Sequence, residues 1–145
     1  MEIITVIILF LMGAQFGVAL TSSIIVHPII VHATRKTAIE IFKPFFDKTH
    51  KAVLYLSIAV SILALVFSYL SGNWWWFGIT LIMHLNGPYT IFFMMPLNNR
   101  LMAADVDPNS DQVATDIQQW GKLHSIRTIL NGLVFISLIV IFVNK

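Results

Sequence analysis

Four long apolar stretches dominate the pattern of hydrophobic and polar positions along the chain. They cover residues 3–31, 53–70, 74–95 and 126–143, and Arg127 is the only Asp, Glu, Lys or Arg within them. A helix needs about 20 residues to cross a hydrocarbon core of about 30 Å. The pattern therefore predicts four transmembrane helices rather than the core helices of a soluble domain.

The polar segments between these stretches indicate how the helices connect. Residues 71–73 allow only a tight turn, which predicts an antiparallel hairpin of the second and third helices. The segments 32–52 and 96–125 are predicted to be loops, except that the fourth helix is expected to begin soon after the turn-rich residues 105–111, with residues 118–127 as its polar extension. Lys145 alone among the nine Lys and Arg residues lies at the opposite end of the bundle. Because cytoplasmic loops are enriched in Lys and Arg, we expect both loops in the cytoplasm and both termini on the non-cytoplasmic side.

The predicted fold class is all-α, an integral membrane four-helix bundle that forms a single domain over residues 1–145. Composition agrees, because 57% of the residues are hydrophobic and 11% are charged, against roughly 25% charged in a soluble domain. The absence of cysteine excludes disulfides, iron–sulfur clusters and thiol nucleophiles. Membrane topology accounts for the basic loops, so no nucleic-acid partner is expected. Three consecutive tryptophans, 74–76, are predicted to form an interfacial aromatic belt.

Polar residues inside the predicted spans are informative because such groups are costly at membrane depth. His84 lies about 15 Å along the third span, near the midplane. Pro88 cannot donate to the His84 carbonyl, which is expected to leave an acceptor free. His27 lies near the cytoplasmic end of the first span, just before Pro28. The first span also carries a face of small residues that predicts close helix packing: Gly13, Gly17 and Thr21.

The densest group of polar side chains lies at the start of the fourth span. Spacings of three, four and seven put its members on one helical face: Trp120, His124, Arg127, Thr128 and Asn131. Asn98, Arg100 and His27 are expected at the same cytoplasmic level. This convergence offers a proton acceptor, a fixed positive charge, amide donors and a flat aromatic surface, which suit a planar aromatic substrate that becomes anionic. A purely structural network at the membrane interface is the alternative interpretation.

Four motifs in the chain resemble those of a known family. They are HisPro at 27–28, PheLysProPhePhe at 42–46, ProLeuAsnAsnArgLeu at 96–101 and TrpGlyLysLeuHisSerIleArgThr at 120–128. Together they resemble the anthrone-oxygenase-like family of small four-span membrane proteins, most of unknown function, over about residues 13–138. The resemblance implies a membrane four-helix bundle, and fungal members oxidise anthrones to anthraquinones without a conventional organic cofactor. Val26 departs from the pattern, since many relatives carry Glu at that position.

The leading hypothesis is a membrane-embedded oxidase or oxygenase of a lipophilic aromatic substrate, anthrone- or quinol-like, with its site at the cytoplasmic mouth of the bundle. The expected catalytic residues are His124, His27 and Arg127, and the expected substrate-binding residues are Asn98, Arg100, Trp120 and His84. No metal site and no cofactor is expected. The alternatives are a haem or metal held by His27 and His124, or a non-catalytic binding or assembly subunit. Homo-oligomerisation is left open, and the expected location is the inner (plasma) membrane of a bacterium.

Overall fold

The computed structural model describes residues 2–144, and five helices account for nearly all of them. We number these α1 to α5 in chain order: α1 (Glu2–His32), α2 (Arg35–Ser71), α3 (Trp75–Met83), α4 (86–102) and α5 (Asp111–Val143). No strand occurs in this range. The all-α prediction is therefore confirmed for the described residues.

Three of these helices, α1, α2 and α5, are each long and apolar enough to cross a membrane. The predicted third span is divided between α3 and α4, so three of the four predicted spans are continuous helices of this length in the described residues. At the division, the N–H groups of His84 and Leu85 bond to carbonyls three residues earlier, as in a 3₁₀ turn. The His84 carbonyl, expected to be free, accepts the Gly87 N–H at 2.9 Å, because Gly87 supplies the donor that Pro88 lacks.

Most of the two segments predicted to be loops is helical. Helix α2 begins at Arg35, where the Thr34 hydroxyl accepts the Thr37 N–H, and it continues through Pro44. Helix α5 begins at Asp111 behind a similar Ser110 cap, so only residues 103–110 connect α4 to α5. At 1.5 Å per residue, α2 and α5 are each about 50 Å long and extend beyond a hydrocarbon core of about 30 Å. The polar composition of these segments therefore reflects helices that project from the membrane.

A widened π-helical turn precedes a proline in both α1 and α4. The turns cover Ser22–Val26 and Thr90–Met94. In each, the residue before the proline donates its N–H to a carbonyl five residues earlier: His27 to Ser22, and Met95 to Thr90. A proline cannot make the usual bond to the carbonyl four residues back, and its ring crowds that carbonyl, so a wider turn accommodates it. HisPro and MetPro thus allow the helix to continue without a sharp break.

The helices pack as a four-member bundle, in which α1 contacts α2 and α5, and α3 contacts the same two helices. Two apolar clusters fill it at different heights. The loop-end cluster is built from Ile30, Ala38, Ile39, Phe42, Met94, Leu97, Leu101, Val113, Ile117 and Trp120. The terminal-end cluster is built from Ile8, Met12, Val60, Ala64, Phe67, Trp76, Met83, Val134 and Leu138. Between them, polar residues of α1, α2, α4 and α5, together with His84, form a polar layer at mid-height.

Two glycines lie where helices pack closely, and only one of them, Gly13, belongs to the small-residue face predicted from the sequence. A Cβ on Gly13 would lie 3.2 Å from the Phe135 ring, so this glycine does face a neighbouring helix. Gly17 has open space beside it and Thr21 is exposed. The predicted small-residue face is therefore wrong beyond Gly13. Gly121 on α5 is the most tightly packed glycine of the described chain, with the ring of His27 against it.

The turn between α2 and α3 agrees with the predicted hairpin. Gly72 adopts φ +72°, the left-handed conformation that glycine tolerates best. Trp74 and Trp75 beyond it are exposed, as an interfacial belt requires. Trp76 is fully buried and packs edge-to-face on Phe67 with ring centroids 5.3 Å apart. Trp76 is therefore a core residue, and its inclusion in the belt was wrong.

Candidate functional site

Two neighbouring cavities occupy the polar layer between the apolar clusters. The first, the histidine cavity, has a volume of about 40 Å³, and the second, the central cavity, about 240 Å³. His50, Val53 and Arg127 line both cavities. The loop-end cluster lies between this layer and residues 103–110. The residues around His124 therefore line a partly enclosed space that the loop-end cluster separates from residues 103–110.

His124 is held by contacts on its ring face and at one ring nitrogen. Its imidazole stacks on the Trp120 indole, with centroids 4.6 Å apart and planes at 18°. Its Nδ1 lies 3.0 Å from the Ser23 hydroxyl oxygen, which lies 2.8 Å from the Thr128 hydroxyl oxygen. Nε2 makes no hydrogen bond within the described chain, and the residue lines the histidine cavity. His124 thus presents one ring nitrogen that the protein does not engage.

The hydroxyl groups of Ser23 and Thr128 form a short hydrogen-bonded chain that ends at the Nδ1 of His124. The Thr128 oxygen also lies 3.1 and 3.2 Å from the backbone carbonyl oxygens of Ala19 and His124, either of which can accept its single hydrogen. When Thr128 donates to a carbonyl, Ser23 donates to Thr128 and accepts from Nδ1, and Nε2 is then the basic nitrogen of a neutral ring. When Thr128 donates to Ser23, Ser23 donates to Nδ1 and the proton of the ring lies on Nε2.

Arg127 brings a positive charge into the same layer without a counter-ion. Its Nη1 lies 3.8 Å from the Met94 sulfur, and its buried Nε has no hydrogen-bond partner among residues 2–144. No ion pair involves Arg127 in that range, and none of the described residues that line the two cavities is acidic. A buried charge is normally paired. The arrangement is therefore suited to an anionic oxygen of a ligand.

Asn98 and His27 support the site from the loop end. The Asn98 Oδ1 accepts the Trp120 indole N–H at 3.0 Å, which fixes the ring on which His124 stacks. The His27 Nε2 lies 3.0 Å from the Ile117 carbonyl oxygen, so it donates to that carbonyl. Neither residue lines either cavity. Their positions fit a structural role better than the predicted contact with substrate.

Arg100 is separated from the site by its own ion pair. Its Nε and Nη2 donate to the two carboxylate oxygens of Asp116, each at 2.7 Å. Asp116 also accepts from the Gln112 amide, and these hydrogen bonds, with Arg100 the stronger contributor, hold the pKa of Asp116 below its usual value. Arg100 lines neither cavity. A bidentate partner occupies the guanidinium that was expected to bind substrate.

The family comparison agrees with the motifs that build this site. A family model described as anthrone oxygenase matches residues 42–137. The chain belongs to the anthrone oxygenase family. The match covers α2 from Phe42, both halves of the divided third span, and α5 through its cavity-lining part. No match to a curated protein or to a solved structure was found.

Within this anthrone oxygenase family member, Val26 lies where the sequence resemblance leads one to expect Glu. Val26 packs against the loop-end apolar cluster. An apolar contact therefore stands where the resemblance leads one to expect a carboxylate.

A metal or haem finds little support in the donor set. Among the described residues, no group of three or more His, Asp or Glu side chains is arranged to hold a metal ion. The His27 Nε2 is bonded to the Ile117 carbonyl, and the His124 Nδ1 is bonded to Ser23. The histidine cavity, at about 40 Å³, is also far too small for a macrocycle. These contacts do not fit the alternative of a haem held by the two histidines.

Several cavity residues were missed because they lie on the part of α2 that was predicted to be a loop, or on α1. His50 lines both cavities, and its ring stacks on Phe46 with centroids 5.7 Å apart. Gln15 is 1% exposed and lines the central cavity beside Ser57. The spacing Phe46, His50, Val53 and Ser57 is the signal that could have found this face, since it follows the helical period.

His84 lines the central cavity, as its predicted depth within the bundle suggested. Its Nε2 lies 2.6 Å from the Ser61 hydroxyl oxygen. The next residue but one, Asn86, is 91% buried and donates its amide to Asn131 Oδ1 at 2.9 Å. The division between α3 and α4 therefore sets two polar side chains at one wall of this cavity.

Proposed function

We propose that this protein is a membrane-embedded oxygenase that oxidises a lipophilic aromatic substrate of the anthrone or hydroquinone type. The observation that carries the proposal is the pairing of two groups in one cavity: the His124 Nε2, which no described residue engages, and the guanidinium of Arg127, which has no acidic partner among residues 2–144. The proposal takes the tautomer of His124 with its proton on Nδ1, so that Nε2 is basic. Family membership agrees with an oxygenase role. The substrate ring would occupy the central cavity, which is lined mainly by apolar surface and adjoins the histidine cavity at Arg127.

The proposed chemistry needs a base and an anion-stabilising group. The His124 Nε2 removes a proton from the activated carbon or hydroxyl of the substrate, and the electron pair is delocalised onto the ring oxygen as an enolate or phenolate. Arg127 stabilises that oxygen in a site of low polarity, where such an interaction is strong. With an anthrone, molecular oxygen then adds to the carbanion to give a peroxide anion, which takes back the proton from His124 and becomes a hydroperoxide. Loss of water from the hydroperoxide leaves the quinone carbonyl.

A direct test incubates the purified protein with anthrone and oxygen and follows oxygen consumption against quinone formed. His124→Ala should lower kcat by about 10²–10⁴-fold, the usual contribution of a general base. His32→Ala is the matched control, because the exposed His32 bonds only to the Pro28 carbonyl of its own helix. Equal rates for wild type and His124→Ala, above the rate without protein, would rule out the proposed base.

Arg127→Met and Arg127→Lys separate charge from geometry in the same assay. Arg127→Met should lower kcat by about 10²-fold or more, since it removes the charge that stabilises the enolate. Arg127→Lys keeps a positive charge but loses the planar guanidinium, so its kcat should lie between those of wild type and Arg127→Met. A wild-type rate for Arg127→Met would exclude the anion-stabilising role.

We also propose the orientation and location of the protein. Apart from Arg127, the charged residues of the described chain outside α1 cluster on the polar parts of α2 and α5 and on residues 100–111, which form one end of the bundle. The positive-inside rule would put that end in the cytoplasm and both termini outside. A bacterial plasma membrane is the proposed location, and homo-oligomerisation is not required for the site, because all the cavity residues come from one chain.

A further inference from the structure

The histidine cavity contains the proposed base but has no room for an aromatic ring. Its volume is about 40 Å³, whereas a dry cavity that binds benzene measures about 150 Å³. A water molecule takes up about 30 Å³ of the liquid, so this cavity holds only one or two molecules of about that size. The ring of the proposed substrate would have to remain in the central cavity, which adjoins the histidine cavity at Arg127. The histidine cavity is therefore suited to a second, small reactant.

The walls of the histidine cavity combine an apolar part with a cationic part. Val18, Ala19 and Phe46 form part of the apolar wall. The opposite character comes from Arg127, whose buried Nε has no hydrogen-bond partner among residues 2–144, beside the unengaged Nε2 of His124. An apolar wall admits a neutral molecule easily, whereas an unpaired buried charge favours an anion. The combination fits a ligand that arrives neutral and becomes anionic during the reaction.

A groove on the outer surface of the bundle adjoins the same cavity. This α1–α2 groove has a volume of about 410 Å³ and is lined by Ala14, Gly17, Val18, Thr21, Ser22, Phe45 and Thr49. Val18, Ser22 and Thr49 line the histidine cavity as well. Gly17 lies in the middle of the apolar stretch 3–31, so the groove would face the acyl chains of a membrane. The histidine cavity thus has its own side facing the bilayer, separate from the central cavity.

The hydroxyl groups at the wall shared by groove and cavity are bonded within their own helices. The Ser22 hydroxyl donates to the Val18 carbonyl at 2.6 Å, and the Thr49 hydroxyl donates to the Phe45 carbonyl at 2.8 Å. Each hydroxyl has a single hydrogen, so neither has one left for a passing molecule. The wall therefore favours passage of a small apolar molecule over that of an ion.

We propose that the histidine cavity is the binding site of dioxygen and that dioxygen enters it from the bilayer through the α1–α2 groove. Dioxygen is small, neutral and apolar, and it dissolves better in hydrocarbon than in water. When it reacts, the electron pair of the substrate carbanion forms the new C–O bond and the distal oxygen becomes anionic. Arg127 stabilises this oxygen, and the proton held by His124 returns to it. The assignment rests on the proposed function for the identity of the carbanion.

The first experiment locates dioxygen without turnover. Dioxygen is paramagnetic, so a bound molecule speeds the relaxation of methyl protons close to it. Val18 and Val53 both line the histidine cavity, whereas Val60 is fully buried in the terminal-end cluster and lines neither cavity. In protein held in bilayer nanodiscs under dioxygen pressure, we expect a larger enhancement of methyl relaxation at Val18 and Val53 than at Val60.

Thr49→Leu should remove this difference, because it adds volume to the histidine cavity from α2. Ser22→Val adds volume from α1 and provides an independent block. Thr115→Leu is the matched control, since Thr115 is exposed, bonds to the Asp111 carbonyl of its own helix and lines neither cavity. Thermal unfolding shows that each variant is folded. A folded Thr49→Leu and a folded Ser22→Val that both keep the wild-type enhancement would overturn the site.

The second experiment tests the route by varying dioxygen and anthrone separately in the oxidation assay. A Cβ on Gly17 would meet nothing within 4 Å, so a leucine can be placed in the groove without a clash. Gly17→Leu should raise the KM for dioxygen severalfold and leave the KM for anthrone unchanged. Gly78→Leu, on α3, has equally open space but lines neither the groove nor the two cavities, and it should behave like wild type. An unchanged KM for dioxygen in Gly17→Leu would reject this route.

The relaxation experiment separates failure of the dioxygen site from failure of the oxygenase proposal. Enhanced relaxation that is lost in Thr49→Leu, with no oxygen consumption in the presence of anthrone, would support the site and reject the reaction. Oxygen consumption that depends on His124, with relaxation at Val18 and Val53 no greater than at Val60, would support the reaction and reject the site.

Discussion

The Nδ1 of His124 lies 3.0 Å from the hydroxyl oxygen of Ser23, a residue 101 positions earlier in the chain. The contact joins α5 to the π-helical turn of α1 just before His27. In a helix of regular pitch, the residues after this turn would be rotated differently about the helix axis. The wider turn that accommodates Pro28 therefore also affects which side chains of α1 face His124.

Ser23→Ala should impair catalysis with little loss of stability. Without the Ser23 oxygen, Nδ1 has only Thr128 Oγ1, at 3.5 Å, to hold its proton, so the proposed tautomer with a basic Nε2 is less stabilised. We expect kcat to fall about tenfold and KM to change little, as for loss of part of a general-base contribution. Steady-state rates across pH measure both effects.

The control for Ser23 is Ser125→Ala, since the Ser125 hydroxyl bonds only to the Gly121 carbonyl of its own helix. Ser23→Thr, which restores a hydroxyl, should recover much of the rate. A pH–rate profile for Ser23→Ala that is identical to wild type in height and shape would exclude the positioning role.

Gly121→Ala should destabilise the protein strongly. A Cβ on Gly121 would lie 2.0 Å from the His27 Cε1, so the imidazole would have to leave its place and lose its bond to the Ile117 carbonyl. Overpacking of this kind costs about 1–3 kcal/mol. Gly17→Ala, beside open space in α1, is the control and should be neutral or slightly stabilising.

The double variant His27→Ala/Gly121→Ala checks the cause, since it removes the ring that the new methyl group meets. Its free energy of unfolding, measured in mild detergent, should be higher than the sum of the two single effects predicts. Strict additivity would show that the loss in Gly121→Ala has another origin.

The ion pair of Asp116 and Arg100 should make stability depend on pH in the acid range. Asp116 lies on the projecting part of α5, and its pKa is below the ordinary 3.8, chiefly through the hydrogen bond from Arg100. A depressed folded-state pKa gives stability that is fully present above the unfolded value and is lost as pH falls through the folded value. Thermal unfolding between pH 7 and pH 2 should therefore show a fall below about pH 4.

Asp116→Asn should lower the Tm at pH 7 and flatten this acid dependence, because the titrating group is gone. Asp105→Asn provides the comparison, since Asp105 is exposed and makes no ion pair within the described chain. An acid transition in Asp116→Asn as steep as that of wild type would assign the effect to other carboxylates.

The absence of cysteine makes the proposed orientation easy to test. Ala104→Cys lies between α4 and α5, and Asn144→Cys lies just after α5, at the opposite end of the bundle. A membrane-impermeant maleimide applied to intact spheroplasts should label Asn144→Cys at once and Ala104→Cys only after lysis. The reverse pattern would invert the proposed topology.

The sequence pattern predicted the apolar parts of α1, α2 and α5 correctly. It predicted poorly where these helices begin and end. Apolar length is a local property, so α1, α2 and α5 were visible directly from the sequence. A polar helical segment has no such signature, which is why residues 35–52 were predicted to be a loop, whereas residues 118–125 were expected to extend the last helix. His50 was missed for the same reason, although it lines both cavities.

Site residues on one helical face were grouped correctly, but partners on other helices were not visible. Trp120 and His124 do stack, because a spacing of four on α5 brings their rings together. The assignment of Arg100 to the site failed because Asp116, on a different helix, occupies its donors. Likewise, the contact of Ser23 with His124 depends on the packing of α1 against α5, which no local motif encodes.

Because Arg127 has no acidic partner among the described residues, binding of an anionic ligand can be followed through the stability of the protein. A ligand that binds only the folded state raises its stability by RT ln(1 + [L]/Kd), about 2.7 kcal/mol at a hundredfold excess over Kd. An anionic ligand that reaches Arg127 would also relieve an unpaired buried charge. Melting curves recorded over a library of acidic aromatic compounds can therefore rank natural ligands before any reaction product is known, with Arg127→Met as the variant that should no longer respond.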